Sequence, residues 1–204
     1  MKYIKKIILI LFSLSSSILI QAQCIRVENG FGISSFQKHK TVTLFTDNIQ
    51  RYALLVGIDY LEHKHWSLSS EIGYLTLGGE EKNILVGEEE RKDFTESKKY
   101  VQVNTTFRVK CNIDNTYFYA GVGPKLDILI ESNEINNYLF AGYSYNRFIW
   151  GTKTEIGFYQ VLNPKIRVGL NASYLLNIGN TMESAYVNQK SKAFILTFSL
   201  GCCI

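Results

Sequence analysis

Histidine and serine residues near the start of the chain are the first candidates for chemistry. His39 lies shortly after Ser34 and Ser35, and a serine hydrolase needs a hydroxyl beside a base. Such a site also needs an orienting acid and an oxyanion hole, and the sequence points to neither. His63 and His65 form an H-x-H pair, but no nearby cysteine or third histidine completes a zinc site. We therefore expect no enzyme, no metal and no cofactor, with a lipid-modifying enzyme that uses His39 as the alternative.

The segment from Gly78 to Ser97 is the most charged part of the chain. Five of its six glutamates, Glu80, Glu81 and the run Glu88–Glu90, could bind cations or a cationic partner. The spaced ligands and turn glycine of a calcium loop are missing, and charge runs of this kind are usually solvated. We expect a long loop here, and it is the candidate contact site for a protein partner.

The first 22 residues have the features of a cleaved export signal. Three lysines precede a mostly apolar run from Ile7 to Ile20, and the small residue Ala22 follows. The run is too short for a spanning helix, so residues 1–22 are predicted to be a signal peptide. Removing its three lysines from the 22 basic residues leaves 19 against 18 acidic ones. No basic surface is left to indicate nucleic-acid binding.

Residues 23–204 are predicted to form one domain of eight strands. The clearest strand is 165–178, where Ile166, Val168 and Leu170 alternate with polar or very small residues. Alternation puts the two sets on opposite faces, and a strand crossing a bilayer at a tilt needs about 9–11 residues. The predicted strands are 24–36, 51–61, 65–77, 98–111, 116–130, 147–162, 165–178 and 192–203.

The connections between these strands alternate between long and short. An up-and-down barrel with short periplasmic turns and long outer loops has that pattern. The predicted fold is therefore all-β, a transmembrane antiparallel barrel of eight strands. A secreted lipocalin-like binding barrel is the alternative, since it also has eight alternating strands but an apolar interior.

The polar faces of the strands carry charges of both signs, which would pair inside a narrow barrel. The predicted interior charges are Arg26, Glu28, Arg51, Asp59, Glu71, Arg108, Lys125, Asp127, Lys153, Glu155 and Arg167. The opposite, apolar faces are expected to contact lipid at Leu54, Val56, Val103, Ile156, Val168 and Leu170. Aromatic side chains at strand ends, Tyr60, Trp66, Tyr74, Phe148 and Trp150, are expected to form a belt at each rim.

The cysteines bear on how the barrel closes. If the last strand pairs with the first, Cys24, Cys202 and Cys203 meet at the periplasmic end of one seam, with Cys111 across the barrel. In an oxidising compartment a disulfide from Cys24 to Cys202 or Cys203 is expected. A frayed tail with four free thiols is the alternative.

The chain resembles the PorT-type family of small Gram-negative outer-membrane barrels. The resemblance rests on VENGFGIS, HWSLSSEIGYLTLGG, YFYAGVGPKLDILI and IRVGLNASYLLNIG, and it covers the chain from about Cys24 onward. It implies a barrel in outer-membrane lipid, inserted by the barrel assembly machinery. Such barrels usually end on an aromatic residue, whereas this chain ends in Cys202, Cys203 and Ile204.

These features together predict a non-enzymatic outer-membrane protein. Its role would be structural, in surface interaction, or accessory to a secretion system. At eight strands the interior is filled by side chains, so no open pore is expected.

Overall fold

The computed structural model describes residues 22–37, 45–86, 90–131, 144–183 and 188–203. Most of the predicted signal peptide and His39 therefore lie outside the described residues. No helix in the described part of the chain is long and apolar enough to cross a membrane.

Eight antiparallel strands close into a barrel, which confirms the predicted fold. They are β1 (Ala22–Phe36), β2 (Ile49–Tyr60), β3 (Trp66–Val86), β4 (Glu90–Ile113), β5 (Thr116–Leu129), β7 (Phe148–Asn163), β8 (Ile166–Asn177) and β11 (Ser191–Cys203). Each strand pairs with its sequence neighbour in the barrel, and β11 closes the ring against β1. The short strands β6 (Ser144–Tyr145), β9 (Met182–Glu183) and β10 (Asn188–Gln189) form a separate small sheet from two of the long connections.

The alternating sequence explains the barrel. Along β11 every second residue from Ser191 to Cys203 is buried and the residues between are exposed. Phe194, Phe198 and Leu200 are among those that point outward. Since the side-chain period of a strand is two, a one-residue slip would turn this apolar set inward.

The Gly78–Ser97 segment is not a loop, and that prediction was wrong. β3 and β4 continue as a hairpin past the rest of the barrel, with Gly78 paired to Ser97 and Val86 paired to Glu90. Only residues 87–89 at its tip fall outside the described residues. The buried positions among its described residues are Gly78, Gly79 and Glu96, which are glycine or charged. The sequence therefore shows no apolar alternation there and resembles that of a loop.

The barrel interior has two layers. Towards the long-loop end, buried apolar side chains fill the mouth, and we call them the outer apolar cluster. Its members are Phe36, Phe45, Ala53, Leu55, Leu75, Leu77, Tyr100, Leu129, Tyr145, Ile149, Leu175, Met182, Ala193 and Ile195. Towards the short-turn end the interior is polar and charged.

The closing seam carries a disulfide. Cys24 and Cys203 are register partners on β1 and β11, with 4.0 Å between their Cα atoms, and the structure bonds their sulfurs. Cys202 is exposed, because the next residue of a strand points to the opposite face, and Cys111 is exposed on β4.

Peptide mapping without reductant tests this pairing. We expect one cross-linked pair, Cys24 with Cys203, and alkylation of Cys111 and Cys202, because only the first two face each other inside the seam. Four alkylated thiols, or a bridge that includes Cys111, would contradict it.

Candidate functional site

Seven charged side chains meet inside the barrel near its short-turn end. They come from five strands, are all at most 5% exposed, and are called here the lumen ion cluster: Arg26, Glu28, Asp59, Glu71, Arg108, Lys153 and Glu155. Each occupies an inward position of its alternating strand. Three cations thus face four carboxylates in a space closed to solvent.

Arg26 connects β1 to two other strands of the barrel. Its Nε donates to Glu28 at 2.7 Å, and its Nη2 donates to the Ser69 hydroxyl at 2.7 Å. Its terminal nitrogens also pair with the carboxylates of Asp59 and Glu71. One guanidinium therefore links β1, β2 and β3, using donors arranged in a fixed fork.

Arg108 links β4 to the far side of the barrel. Its Nε donates to Glu155 at 2.5 Å, and its terminal nitrogens reach Asp59 and Glu71 at 3.1 Å each. The guanidinium also lies over the Tyr119 ring, 4.5 Å from its centroid. Both arginines share Asp59 and Glu71, so the cluster is one network and not a set of separate pairs.

Lys153 and neutral side chains complete the network. Lys153 pairs with Glu71 and lies 2.9 Å from Glu155. Glu28 accepts hydrogen bonds from Thr197 at 2.9 Å and from Asn171 at 3.1 Å. A buried carboxylate is tolerated when its lone pairs are filled in this way.

Two inward glycines make room for the arginines. A Cβ on Gly57 would lie 2.8 Å from the Arg26 guanidinium carbon, and one on Gly121 would lie 3.0 Å from both the Arg108 Cγ and Glu155. The sequence shows glycines alternating along the polar faces of the strands. It does not show which side chains these glycines accommodate.

A second ionic group lies nearer the long-loop end. Lys125 pairs with Asp127 and donates to the Asn177 side chain, and Gln102 donates to Asp127 at 3.2 Å. Of the predicted interior charges, these two and the seven cluster members are buried.

Arg51 was predicted to lie in the interior, and the structure corrects this. It occupies an inward register position on β2, but so near the long-loop end that its side chain is exposed. Its Nη1 donates to the backbone oxygen of Gln50 at 3.0 Å.

Arg167 lies at the short-turn mouth and is only half-buried. It donates two hydrogen bonds to Glu62, at 2.7 and 3.2 Å, and its Nε lies 2.8 Å from the Cys203 sulfur. Lys110 also donates to Glu62, at 2.9 Å. The sequence reading missed Glu62, because a glutamate that begins a tight turn is ordinarily exposed.

Glu62 is held ionised at this mouth. Its partial burial opposes ionisation, but the hydrogen bonds and charge of Arg167, with those of Lys110, outweigh it and leave the pKa of Glu62 below its ordinary value. This carboxylate ties the turn after β2 to β4 and β8.

The described residues contain no group of three or more potential ligands that could hold a metal ion. The His63 ring packs on Trp66 with 4.2 Å between centroids. The Ser34 hydroxyl is used in hydrogen bonds to the backbone of Gly78, at 3.1 Å. What the lumen ion cluster can do is cross-link the strands and fill the interior.

Two solved structures share this architecture. Neisserial surface protein A aligns with a TM-score of 0.58 and 9% identity over 89% of this chain and 96% of that one. Outer membrane protein AlkL in lipid bilayers aligns with a TM-score of 0.54 and 12% identity over 90% of each chain. This chain has the fold of the small eight-stranded outer-membrane barrels. At such identities the likeness is one of fold alone, and it does not single out the PorT-type family.

No family model and no curated protein matches the sequence.

Removing a shared cation tests the cluster. Arg108→Met should lower the free energy of unfolding by about 3–5 kcal/mol, because it leaves buried carboxylates without their partner. The measurement is urea-induced unfolding of the refolded barrel in detergent. Arg147→Met is the matched control, since Arg147 is exposed near the long-loop rim. Equal stability of the two variants would contradict the network.

The ionised state of Glu62 predicts that the stability of the barrel depends on pH. Because its pKa is lower in the folded state, its stabilising contribution is complete above its ordinary pKa and is lost as pH falls through the lower, folded value. Glu62→Gln should therefore destabilise the barrel by about 1 kcal/mol at pH 7 and converge with wild type in acid. Asp114→Asn, at an exposed turn of the same end, is the control. A stability difference that does not change between pH 7 and pH 3 would contradict this role for Glu62.

Proposed function

We propose that the chain is a non-enzymatic integral protein of the outer membrane, with a filled lumen. The observation that carries this proposal is the reversed polarity of the barrel. The exterior is apolar, while the interior near the short turns is ionic. In a water-soluble binding barrel the outside would be polar and the inside apolar.

The exterior supports a lipid environment. Ile156, on β7, is 64% exposed, and Leu170 on the neighbouring β8 is 44% exposed. Twenty-nine large apolar side chains are exposed among the described residues, and such a surface on a water-soluble monomer would cause association. The secreted lipocalin-like alternative does not account for this surface.

Aromatic side chains near the strand ends support the same placement. Trp66 follows the turn after β2 and stacks on Phe107, with 5.7 Å between centroids. Phe148 and Trp150 begin β7 at the opposite end and are about 60% exposed. Aromatic girdles at both interfaces are a feature of membrane barrels.

The filled interior argues for a structural, surface-interaction or secretion-accessory role. The lumen ion cluster and the outer apolar cluster occupy successive layers of the interior, so free diffusion of solutes is not expected. The β3–β4 hairpin projects past the rim and is the candidate contact site for a protein partner. Membership of the PorT-type family and insertion by the barrel assembly machinery belong to this proposal, on the resemblance of the sequence.

The alternative of a lipid-modifying enzyme depends on His39. That residue lies outside the described residues. Of the two serines before it in the sequence, Ser34 is engaged by the backbone of Gly78 and Ser35 is buried. We therefore favour the non-enzymatic role.

Fractionation of a Gram-negative host expressing the full chain tests the proposal. We expect the protein in the outer-membrane fraction, migrating faster on gels before heating than after it, as a folded barrel does. Recovery of folded protein in the periplasm or medium would contradict the proposal and favour a soluble barrel.

The assignment of apolar strand faces to the lipid side predicts the effect of a charge at a single position. Leu170→Arg should destabilise the inserted barrel by about 2–4 kcal/mol, because it puts a charge against lipid near the middle of the membrane. Ile113→Arg is the control, since Ile113 is also exposed but ends β4 at the rim, where the cost is about 0–1 kcal/mol. Equal insertion and equal heat resistance of the two variants would contradict the facing.

A further inference from the structure

The barrel wall has a gap between β2 and β3 near the long-loop end. The ladder between these strands begins at Tyr60 and Leu68 and stops at Leu54 and Tyr74, although both strands continue. Ile49–Ala53 of β2 still pairs with β1 on its other side. The chain before β2 is linked to this part of β3 by the bridge of Asp47 with Glu80 and by a hydrogen bond from the Phe45 N–H to the Glu81 carboxylate, at 2.8 Å. We call Ile49–Ala53 and the facing Leu75–Gly79 the wall gap.

β3 leaves the wall at this gap and leans over the lumen. The hydroxyl of Ser34, on β1, donates to the Gly78 carbonyl and accepts from the Gly78 N–H, both at 3.1 Å. β1 and β3 are not neighbours in the barrel. A side chain of β1 therefore satisfies backbone groups that β2 would have paired in a continuous sheet.

Glycine is required where β3 bends. A Cβ on Gly79 would lie 1.8 Å from the backbone oxygen of Phe45, and one on Gly78 would lie 2.2 Å from that of Glu96. Backbone approaches this close exclude any side chain at either position. Gly79 thus permits the Phe45 backbone to cross β3, and Gly78 permits the close pairing of β3 with β4.

A narrow crevice runs from the wall gap to the outer apolar cluster. It has a volume of about 10 Å³ and is lined on the inside mainly by Ala53, Leu75, Leu77, Ala193 and Ile195. That volume holds no more than about one water molecule. No β2–β3 ladder hydrogen bond crosses the gap. The hydrogen bonds of Gly78 with Ser34 and of Glu80 with Asp47 lie at its outer end. Widening its inner part, beside Leu75 and Leu77, therefore requires movement of apolar side chains and leaves those hydrogen bonds in place.

A single positive charge stands at the entrance. Arg51 lines the crevice, is exposed, and donates one hydrogen bond, to Gln50, with no other partner among the described residues. Tyr52 beside it faces outward and packs edge-on against Phe31, with 6.4 Å between ring centroids. Tyr74, at the lower limit of the gap, is one of the residues expected at the membrane rim. The entrance therefore combines an exposed guanidinium, for which no acidic partner is recorded among the described residues, with an apolar slot at the level of lipid headgroups.

We propose that the wall gap is a binding site for a fatty acid, a single-chain amphiphile with a carboxylate head. The carboxylate pairs with Arg51, and the chain enters between β2 and β3 by displacing the side chains of Leu75 and Leu77 towards the outer apolar cluster. The narrow crevice favours one chain over the two of a phospholipid. The planar guanidinium matches a carboxylate through two parallel hydrogen bonds. This inference rests on the proposed placement in a membrane, which brings such molecules to the gap from the side.

A photoactivatable fatty acid tests the site. The refolded full chain in phospholipid nanodiscs is illuminated with a diazirine-labelled palmitic acid, and adducts are mapped by mass spectrometry. We expect adducts concentrated on Ile49–Ala53 and Leu75–Leu77. Arg51→Gln should lower that labelling about tenfold, because a charge-assisted pair is lost. Arg147→Gln, at another exposed rim arginine, should leave it unchanged.

Two further comparisons, with an esterified probe and with unlabelled competitors, identify the ligand. The methyl ester of the probe carries no carboxylate. It should label the gap of the wild type only as weakly as the free acid labels the gap of the Arg51→Gln variant. Unlabelled palmitic acid should compete, whereas added phosphatidylglycerol should not. Adducts spread evenly around the belt, equal labelling of the two arginine variants, or competition by phosphatidylglycerol would overturn the site while leaving the membrane placement intact. The absence of adducts from every strand would overturn the membrane placement, and this site with it.

Discussion

The lumen ion cluster is the constraint on which the rest of the structure depends. Charges removed from water are tolerated only when they are paired and their remaining hydrogen-bonding groups are filled. Arg26 and Arg108 reach that condition together, since they share Asp59 and Glu71. Five strands must be in register at once for this to happen. A one-residue slip of any of them would expose its charges to the outside and bury its apolar set.

The two ends of the barrel are built differently. Near the short turns the ion cluster, the Glu62 contacts and the seam disulfide bind strands to one another by directional or covalent links. Near the long loops the outer apolar cluster fills much of the interior, beside the Lys125–Asp127 pair, and the β2–β3 ladder stops. Apolar packing has no fixed direction, so this half can adjust its side chains at lower cost. A rigid base and an adaptable outer half follow from the distribution of side chains.

Much of this architecture could be predicted from the sequence because the period of two is strong in every strand. Alternation around Leu170 and Phe198 assigned the two faces, and the polar face of β7 at Lys153 and Glu155 indicated a charged interior. Where the barrel wall is incomplete, the alternating pattern predicts the wrong exposure for a side chain. Arg51 keeps the inward parity of β2, but β3 has left the wall beside it, so the residue is exposed. The described residues that the Gly78–Ser97 hairpin buries are Gly78, Gly79 and Glu96, so the hairpin carries no apolar alternation. Glu62 lies in a turn, and its contacts with β4 and β8 are set by tertiary structure alone.

The central claim is that the interior is filled by its own paired charges and apolar side chains, and that no water-filled path crosses the barrel. Electrical recording from the purified wild-type barrel in planar lipid bilayers, with high salt on both sides, tests it most directly. The structure predicts insertion, verified by recovery of heat-modifiable protein from the bilayer lipid, without stable conductance steps. Reproducible steps of uniform size in most insertions would show a continuous aqueous path and contradict the account.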